Sequence, residues 1–225
     1  MLTTWTSIVV DGVPYVRTAV PTRWFTAADD LHATLLESLP LLERGDTVVV
    51  SEKVAVFLTG RAVPIDAVQP GRLAHLLARA VRPRPGSRGL SVPEKMQFVV
   101  AEIGRPRVIV AALLSALTRP FGFAGVFYRV AGPVARDVDG GRPPYEHLVF
   151  PPLTAGESTE LCADLEAWLG VGVAIVDLND YGGTVRGVSP QAAAPGVLLA
   201  VLAGNLLGQR STSTPFGIVR RLSDR

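Results

Sequence analysis

A run of hydrocarbon, Val173-Ala174-Ile175-Val176, passes directly into Asp177-Leu178-Asn179-Asp180-Tyr181 and then Gly182-Gly183. An apolar, β-branched run of this length specifies a buried strand, read here as Val171 to Val176, and the carboxylates mark where it leaves the core. Residues two apart on a strand point the same way, so an extended continuation turns Asp177 and Asn179 to one site. Asp180 begins the turn, and Gly182-Gly183 permit the close approach of another backbone or of a phosphate. Hard oxygen donors at a strand end suit Mg²⁺ or Mn²⁺ beside nucleotide phosphates. The same residues also make an ordinary turn before glycine, and spacing alone divides the two readings evenly.

The rest of the chain sets the frame for that strand. Ser7–Val10 and Val13–Val20 read as a hairpin around Asp11-Gly12, and Thr47–Val50 as a short buried strand. Val126–Ala131 and Ile218-Val219 read as further strands. Leu31, Leu35, Leu39 and Leu42 carry helical spacing over Asp29–Leu42, weakened at Pro40. Gly71–Val81 reads as an amphipathic helix with Leu73, Leu76, Leu77 and Val81 inward and Arg72, Arg79 and Arg82 outward. Pro93 suits the first turn of a helix holding Glu94, Lys95 and Met96, after a Pro, Gly and Arg-rich loop at 83–93. Val108–Leu117 is apolar all round, which predicts a buried helix. Ser158 is read as the cap of a helix ending at Gly170, and Gln191–Leu207 as containing one more helix. The alternation lacks the even rhythm of a Rossmann or barrel fold, so the expectation is α+β with mixed sheets and packed helices. A length of 225 residues fits one domain with a sizeable core, or two intimate lobes.

Composition narrows the function classes. A chain 48% hydrophobic and 19% charged, with mean hydropathy +0.32, is ordered rather than disordered or fibrous. A net charge of +2 without a basic cluster gives no nucleic-acid footprint. Cys162 is alone, which excludes an internal disulfide and a cysteine-rich metal site. The N-terminus lacks a signal-peptide pattern, and the apolar stretches at 108–117 and 196–207 fall short of the roughly 20 residues that cross a bilayer. A cytoplasmic protein without membrane or nucleic-acid partners is the expectation.

Three further segments carry candidate chemistry. Asp137 and Asp139 precede Gly140-Gly141, near Arg129 and Arg136; they suit a second metal-binding pair, or an ordinary turn. Ser51-Glu52-Lys53 follows the strand at 47–50, and a donor at a strand tip reaches a phosphate or carboxylate, or is simply solvated. Lys53 and Lys95 are the only lysines among many arginines. The loop Arg84-Pro85-Gly86-Ser87-Arg88-Gly89 offers arginines to anions without matching a known phosphate-loop pattern. His32, His75 and His147 lack metal-ligand spacing, and no serine has a nucleophile-elbow context.

These pieces together resemble a family. Gly45-Asp46-Thr47-Val48-Val49-Val50-Ser51-Glu52-Lys53 followed by Gly60-Arg61 resembles the opening of the coenzyme F-420 γ-glutamyl ligases. Val130-Ala131-Gly132-Pro133-Val134-Ala135-Arg136-Asp137 resembles their alanine-glycine and aspartate segment, and Asp177 their aspartate-led metal segment. In the better-known ligases that last segment continues through Gly-Arg-Pro-Trp, which Asp177-Leu178-Asn179-Asp180-Tyr181-Gly182-Gly183-Thr184 lacks. The chain is more similar to a divergent branch with blocks like Pro93-Glu94-Lys95-Met96-Gln97, Thr118-Arg119-Pro120-Phe121-Gly122, Gly125-Val126-Phe127-Tyr128-Arg129 and Thr214-Pro215-Phe216-Gly217-Ile218.

The resemblance implies a GTP-dependent (or ATP-dependent) amide ligase joining L-glutamate to an F-420-like carboxylate, a mixed α+β fold and a homodimer. It implies Mg²⁺ or Mn²⁺ held by Asp137, Asp139, Asp177, Asn179 and Asp180. Lys53 and Arg129 take the catalytic roles, and Ser51, Lys53, Arg88, Arg129, Gly182 and Gly183 contact nucleotide or substrate. The missing Gly-Arg-Pro-Trp segment motivates the alternative of a nucleotide- or coenzyme-binding homologue without ligase turnover. A structural or partner-binding protein is the third reading.

Overall fold

The computed structural model describes residues 4–83, 88–179, 182–208 and 213–222. In chain order the first elements are β1 (Thr6–Val10), β2 (Val13–Val20), α1 (Leu31–Ser38), β3 (Asp46–Ser51) and α2 (Glu52–Leu58). They continue with β4 (Val63–Pro64), α3 (Arg72–Ala80), α4 (Pro93–Ile103), α5 (Arg105–Thr118), α6 (Val126–Ala131) and α7 (Pro133–Asp137). The chain closes with β5 (Asp139–Gly140), β6 (Leu148–Phe150), α8 (Ala155–Leu169), β7 (Gly172–Asn179), β8 (Gly182–Val188), α9 (Pro195–Val201) and β9 (Phe216–Arg221). The fold is mixed α+β, as the irregular alternation predicts.

The chain divides into two compact units. Unit 1 joins Met1–Gly60 to Leu153–Arg225, and unit 2 is the insert Arg61–Pro152. Unit 1 holds a six-stranded sheet in the order β1-β2-β9-β3-β7-β8, in which only β3 and β7 run parallel. Val48, Val49 and Val50 of β3 are wholly buried, as are Val173 to Val176 of β7. Continuous burial means both faces of the sheet are covered, which is why these strands read as unbroken apolar runs. Leu198 and Val201 of α9, with Leu202 just after it, pack with Val49, Ala174, Val176 and Val219. Ser158 of α8 packs against Gly187 of β8 so closely that a Cβ at 187 would sit 2.6 Å from the Ser158 carbonyl carbon.

Polar locks hold the margins of this sheet. Asp46, fully buried, accepts Arg220 Nε at 2.6 Å and Nη2 at 2.8 Å, and also the Glu43 N–H. Arg220 in turn lies over the Trp5 ring at 4.9 Å. Glu166 accepts the Gln191 N–H at 2.8 Å and the Gln191 amide at 3.2 Å. Burial works to raise the Glu166 pKa, but hydrogen bonds from Ser189 and Gln191 outweigh it and hold the carboxyl below its ordinary value. Burial pushes the Cys162 thiol up to about 12, so it is an inert core residue.

Unit 2 packs α3 to α7 beside a three-stranded sheet ordered β4-β6-β5. Its core is built from small and medium side chains, including Ala74, Ala78, Met96, Val99, Val108, Ala111, Ala131, Ala135 and Val149. Alanines at the contacts let helices approach closely, which is how five short helices share one core.

Several expectations are corrected. Val126–Ala131 is helical, not extended: Gly125 takes a left-handed conformation, φ 73°, and starts a turn that packs Ala131 into the core of unit 2. Strand propensity yields there to packing. Only Val108 and Ala111 of α5 are buried, whereas Ile109, Val110, Leu113, Leu114 and Leu117 are exposed. Leu76 is also exposed, because α3 turns Ala74 and Ala78 inward. Thr154, not Ser158, caps α8, in a reciprocal capping box with Glu157. The helix in 191–207 is confined to Pro195–Val201. Of the loop at 84–89, residues 84–87 lie outside the described residues.

Candidate functional site

The strand pairing gives the first site its form. β3 and β7 are parallel neighbours with Ser51 opposite Val176, so their carboxyl ends emerge together. At one end stand Ser51, Glu52 and Lys53, where β3 passes into α2; at the other stand Asp177 and Asn179. Two segments far apart in sequence, each singled out for its polar tip, therefore share one edge of unit 1.

A β-bulge completes the arrangement. Ile175 pairs with Gly187 but Val176 pairs with Val185, which leaves Arg186 as the extra residue of β8. A bulge of this kind re-aims the side chain it carries. Arg186 Nε donates to Glu52 Oε2 at 3.0 Å, and Nη2 donates to Asp177 Oδ2 at 3.3 Å. The other Glu52 oxygen accepts the Leu153 N–H at 2.9 Å. Relative side-chain exposure is 10% for Glu52 and 12% for Arg186, against 48% for Asp177. Burial pushes the Glu52 pKa up, opposed by Arg186 and the Leu153 N–H and assisted by the Asp177 charge. The cluster thus has an inner, desolvated carboxyl, a bridging guanidinium and an outer, half-exposed carboxylate that faces solvent.

Sequence reasoning missed two members of this cluster. Glu52 was visible only as part of Ser51-Glu52-Lys53, yet it is the buried member. Arg186 carried one signal, a lone cation in a glycine-flanked strand; the bulge that aims it is a property of register.

The sequence-predicted residues divide between the units. In unit 1, Ser51 is half-buried at the start of α2 and its N–H donates to the Pro215 carbonyl at 2.9 Å. Lys53 is half-buried in the first turn of α2. Asn179 is exposed and pairs with Gly182 across the hairpin. A Cβ at Gly183 would lie 2.4 Å from Leu178 Cδ2, so that glycine serves the hairpin's own packing. Gly182 has φ 143° with open space beside it, a backbone setting that favours glycine. Asp180 lies outside the described residues.

In unit 2, Asp137 ends α7 and accepts Arg136 Nε at 2.8 Å and Nη2 at 3.1 Å. Asp139 opens β5, accepts the Gly140 N–H and stands 4.0 Å from Lys95 Nζ. Lys95 is buried against Gly140, where a Cβ would lie 2.5 Å from its ammonium. Arg129 is exposed on α6 and donates to the Ala124 carbonyl at 2.9 Å. Arg88 is exposed, and its carbonyl accepts the Ser91 hydroxyl. Among the described residues no group of three or more His, Cys, Asp or Glu side chains is placed to hold a metal ion. No described helix is long and apolar enough to cross a membrane. No protein-family model matches the chain, and no curated protein matches it in sequence.

Proposed function

We propose that the protein is a nucleotide- and divalent-metal-dependent amide ligase of the γ-glutamyl ligase kind, with its reactive site at the joined ends of β3 and β7. The observation that carries this reading is Arg186 bridging Glu52 and Asp177, which ties the Ser51-Glu52-Lys53 and Asp177-Asn179 segments into one polar cluster. The reading rests on unit 1 alone.

The donor chemistry fits a hard cation. Asp177 and Asn179 offer oxygen donors from the same side of β7, and Asp177 keeps half its surface open. Mg²⁺ or Mn²⁺ held there supplies neutralisation of phosphate charge. Lys53 and Ser51 donate hydrogen bonds to the transferring phosphoryl group or the acceptor carboxylate. Arg186 fixes the orientation of Asp177, and buried Glu52 fixes Arg186. In the reaction the acceptor carboxylate takes the γ-phosphoryl group of GTP, releasing GDP. The amine of L-glutamate then attacks the acyl carbon, displaces inorganic phosphate and loses a proton as the amide forms.

One observation favours the binding-only alternative: Arg186 already neutralises the carboxylate that the cation would use. Phosphate release from GTP, with Mn²⁺ or Mg²⁺, L-glutamate and an F-420-like carboxylate, separates the two. The ligase reading expects glutamate-dependent release that falls on the order of 100-fold in Asp177→Ala. Nucleotide binding without glutamate-dependent release would establish the alternative.

A further inference from the structure

From Ile103 to Arg136 the chain carries five arginines and no aspartate or glutamate. This stretch contains α5, whose outward side is apolar. Ile109, Val110, Leu113, Leu114 and Leu117 are 40–67% exposed, and Phe121 and Phe123, just beyond the helix, are 78% and 60% exposed. Phe121 lies on a 3₁₀ turn that continues α5 and is stopped by left-handed Gly122. An exposed apolar patch with a polar rim marks a surface that meets a partner protein or a membrane.

The rim decides between the two. At about 100° per residue, the five apolar side chains of α5 span an arc of about 140°, from Ile109 to Leu114. Arg105 stands about 40° outside the Ile109 edge and Arg107 about 20° outside the Leu114 edge, and both are exposed. Arg107 is held there by its Nε, which donates to the Val130 carbonyl at 3.0 Å. At the Ile109 edge a groove of about 340 Å³ between α3, α4 and α5 adds a further cation, Arg72, which lines it with Arg105 and Ile109. Arg129 donates to the Ala124 carbonyl, next to Phe123, and carries the positive charge to the aromatic end. An apolar band bordered on both sides by guanidiniums suits a bilayer surface, where hydrocarbon lies beneath anionic headgroups. Two such bands facing each other would instead bring arginine rims of one sign together. With 14 residues, α5 is short of the roughly 20 that cross a bilayer, so its contact lies along the surface.

We propose that α5 and the turn carrying Phe121 and Phe123 rest on an anionic phospholipid bilayer. Leu113, Leu117 and the two rings enter the boundary between headgroups and acyl chains, and Arg72, Arg105 and Arg107 reach lipid phosphates from the two edges. The proposal rests on unit 2 alone and is independent of the ligase reading.

Cosedimentation of the full chain with lipid vesicles tests this. Vesicles of phosphatidylcholine and phosphatidylserine in equal parts are expected to bind at least about tenfold more tightly than phosphatidylcholine alone, and binding should weaken as NaCl is raised. Leu113→Glu is expected to weaken binding at least about tenfold, with circular dichroism unchanged because Leu113 is already exposed. Arg105→Ala is expected to cost about fivefold. Val9→Glu, at a position 67% exposed on β1, is expected to cost nothing. Phe121→Trp is expected to add indole fluorescence that brominated phosphatidylserine in the vesicles quenches. No binding to the anionic vesicles, equal binding to both kinds, or binding indifferent to Leu113→Glu overturns the proposal. A wild type that self-associates through Leu113 without binding vesicles overturns it too, in favour of a second copy.

Discussion

Units 1 and 2 solve the problem of burial in opposite ways. Unit 1 covers both faces of its central strands and gives the charges it buries either a cation, as in Asp46–Arg220 and Glu52–Arg186, or hydrogen-bond donors, as at Glu166. Unit 2 builds its core from alanine and valine and leaves one side of its longest helix apolar and open. Their charges are opposed as well. Residues 61–152 carry thirteen Arg and Lys against six Asp and Glu, a net of +7, whereas the remainder carries nine against fourteen, a net of −5. A chain-level charge of +2 averages these and describes neither. Charge must be read unit by unit before it says anything about partners.

The contrast in burial predicts unequal costs. Phe216→Ala, in a fully buried β9 position, should destabilise unit 1 by about 4 kcal/mol in urea denaturation. Leu76→Gln, on the exposed side of α3, should change stability by less than about 0.5 kcal/mol. A large cost at Leu76 would mean that its surface is covered, and would break the comparison.

Arg186→Ala is next in size. It strips buried Glu52 of its cation, and about 3 kcal/mol should be lost at neutral pH. The loss should shrink on acidification as Glu52 becomes neutral, whereas a pH-independent loss would mean that Arg186 contributes packing alone.

Two glutamates then sharpen the contrast within unit 1. Glu52 has its folded pKa raised above 4.5, so its contribution to stability is full below that value and is lost as pH rises through the folded pKa. Glu52→Gln, which keeps an acceptor for the Leu153 N–H, should flatten that dependence. Glu166 has its folded pKa lowered, so its contribution is present above 4.5 and lost as pH falls through the folded pKa. Glu166→Gln should remove about 1 kcal/mol at neutral pH and little in acid. Matching pH slopes for the two variants would contradict the assigned environments.

Much of unit 1 was legible in the sequence because its strands are buried on both faces. Val48–Val50 and Val173–Val176 advertise this directly, and Asp11-Gly12 marks the β1–β2 hairpin. The place of β9 between β2 and β3 was not legible, since an antiparallel partner brought from the chain's far end leaves no local pattern. Unit 2 misled for a related reason. Val126–Ala131 has strand-like side chains but takes its helix from glycine and packing. Val108–Leu117 has the hydrophobicity of a buried helix, yet only Val108 and Ala111 face the core, so total hydrophobicity overstated its burial. At the site, Asp177 and the Ser51–Lys53 tip were found from strand ends, but Arg186 depends on a one-residue register shift.

The metal-dependent nucleotide site proposed at the joined ends of β3 and β7 is tested most directly in one experiment, thermal melting with Mn²⁺ or Mg²⁺ and GTP, in wild type and Asp177→Ala. The account predicts a metal-dependent stabilisation by nucleotide, about 2.7 kcal/mol at 100 times Kd, that disappears in Asp177→Ala while the unliganded melting point stays close to wild type. No nucleotide shift in the wild type, or one that survives in Asp177→Ala, would contradict it.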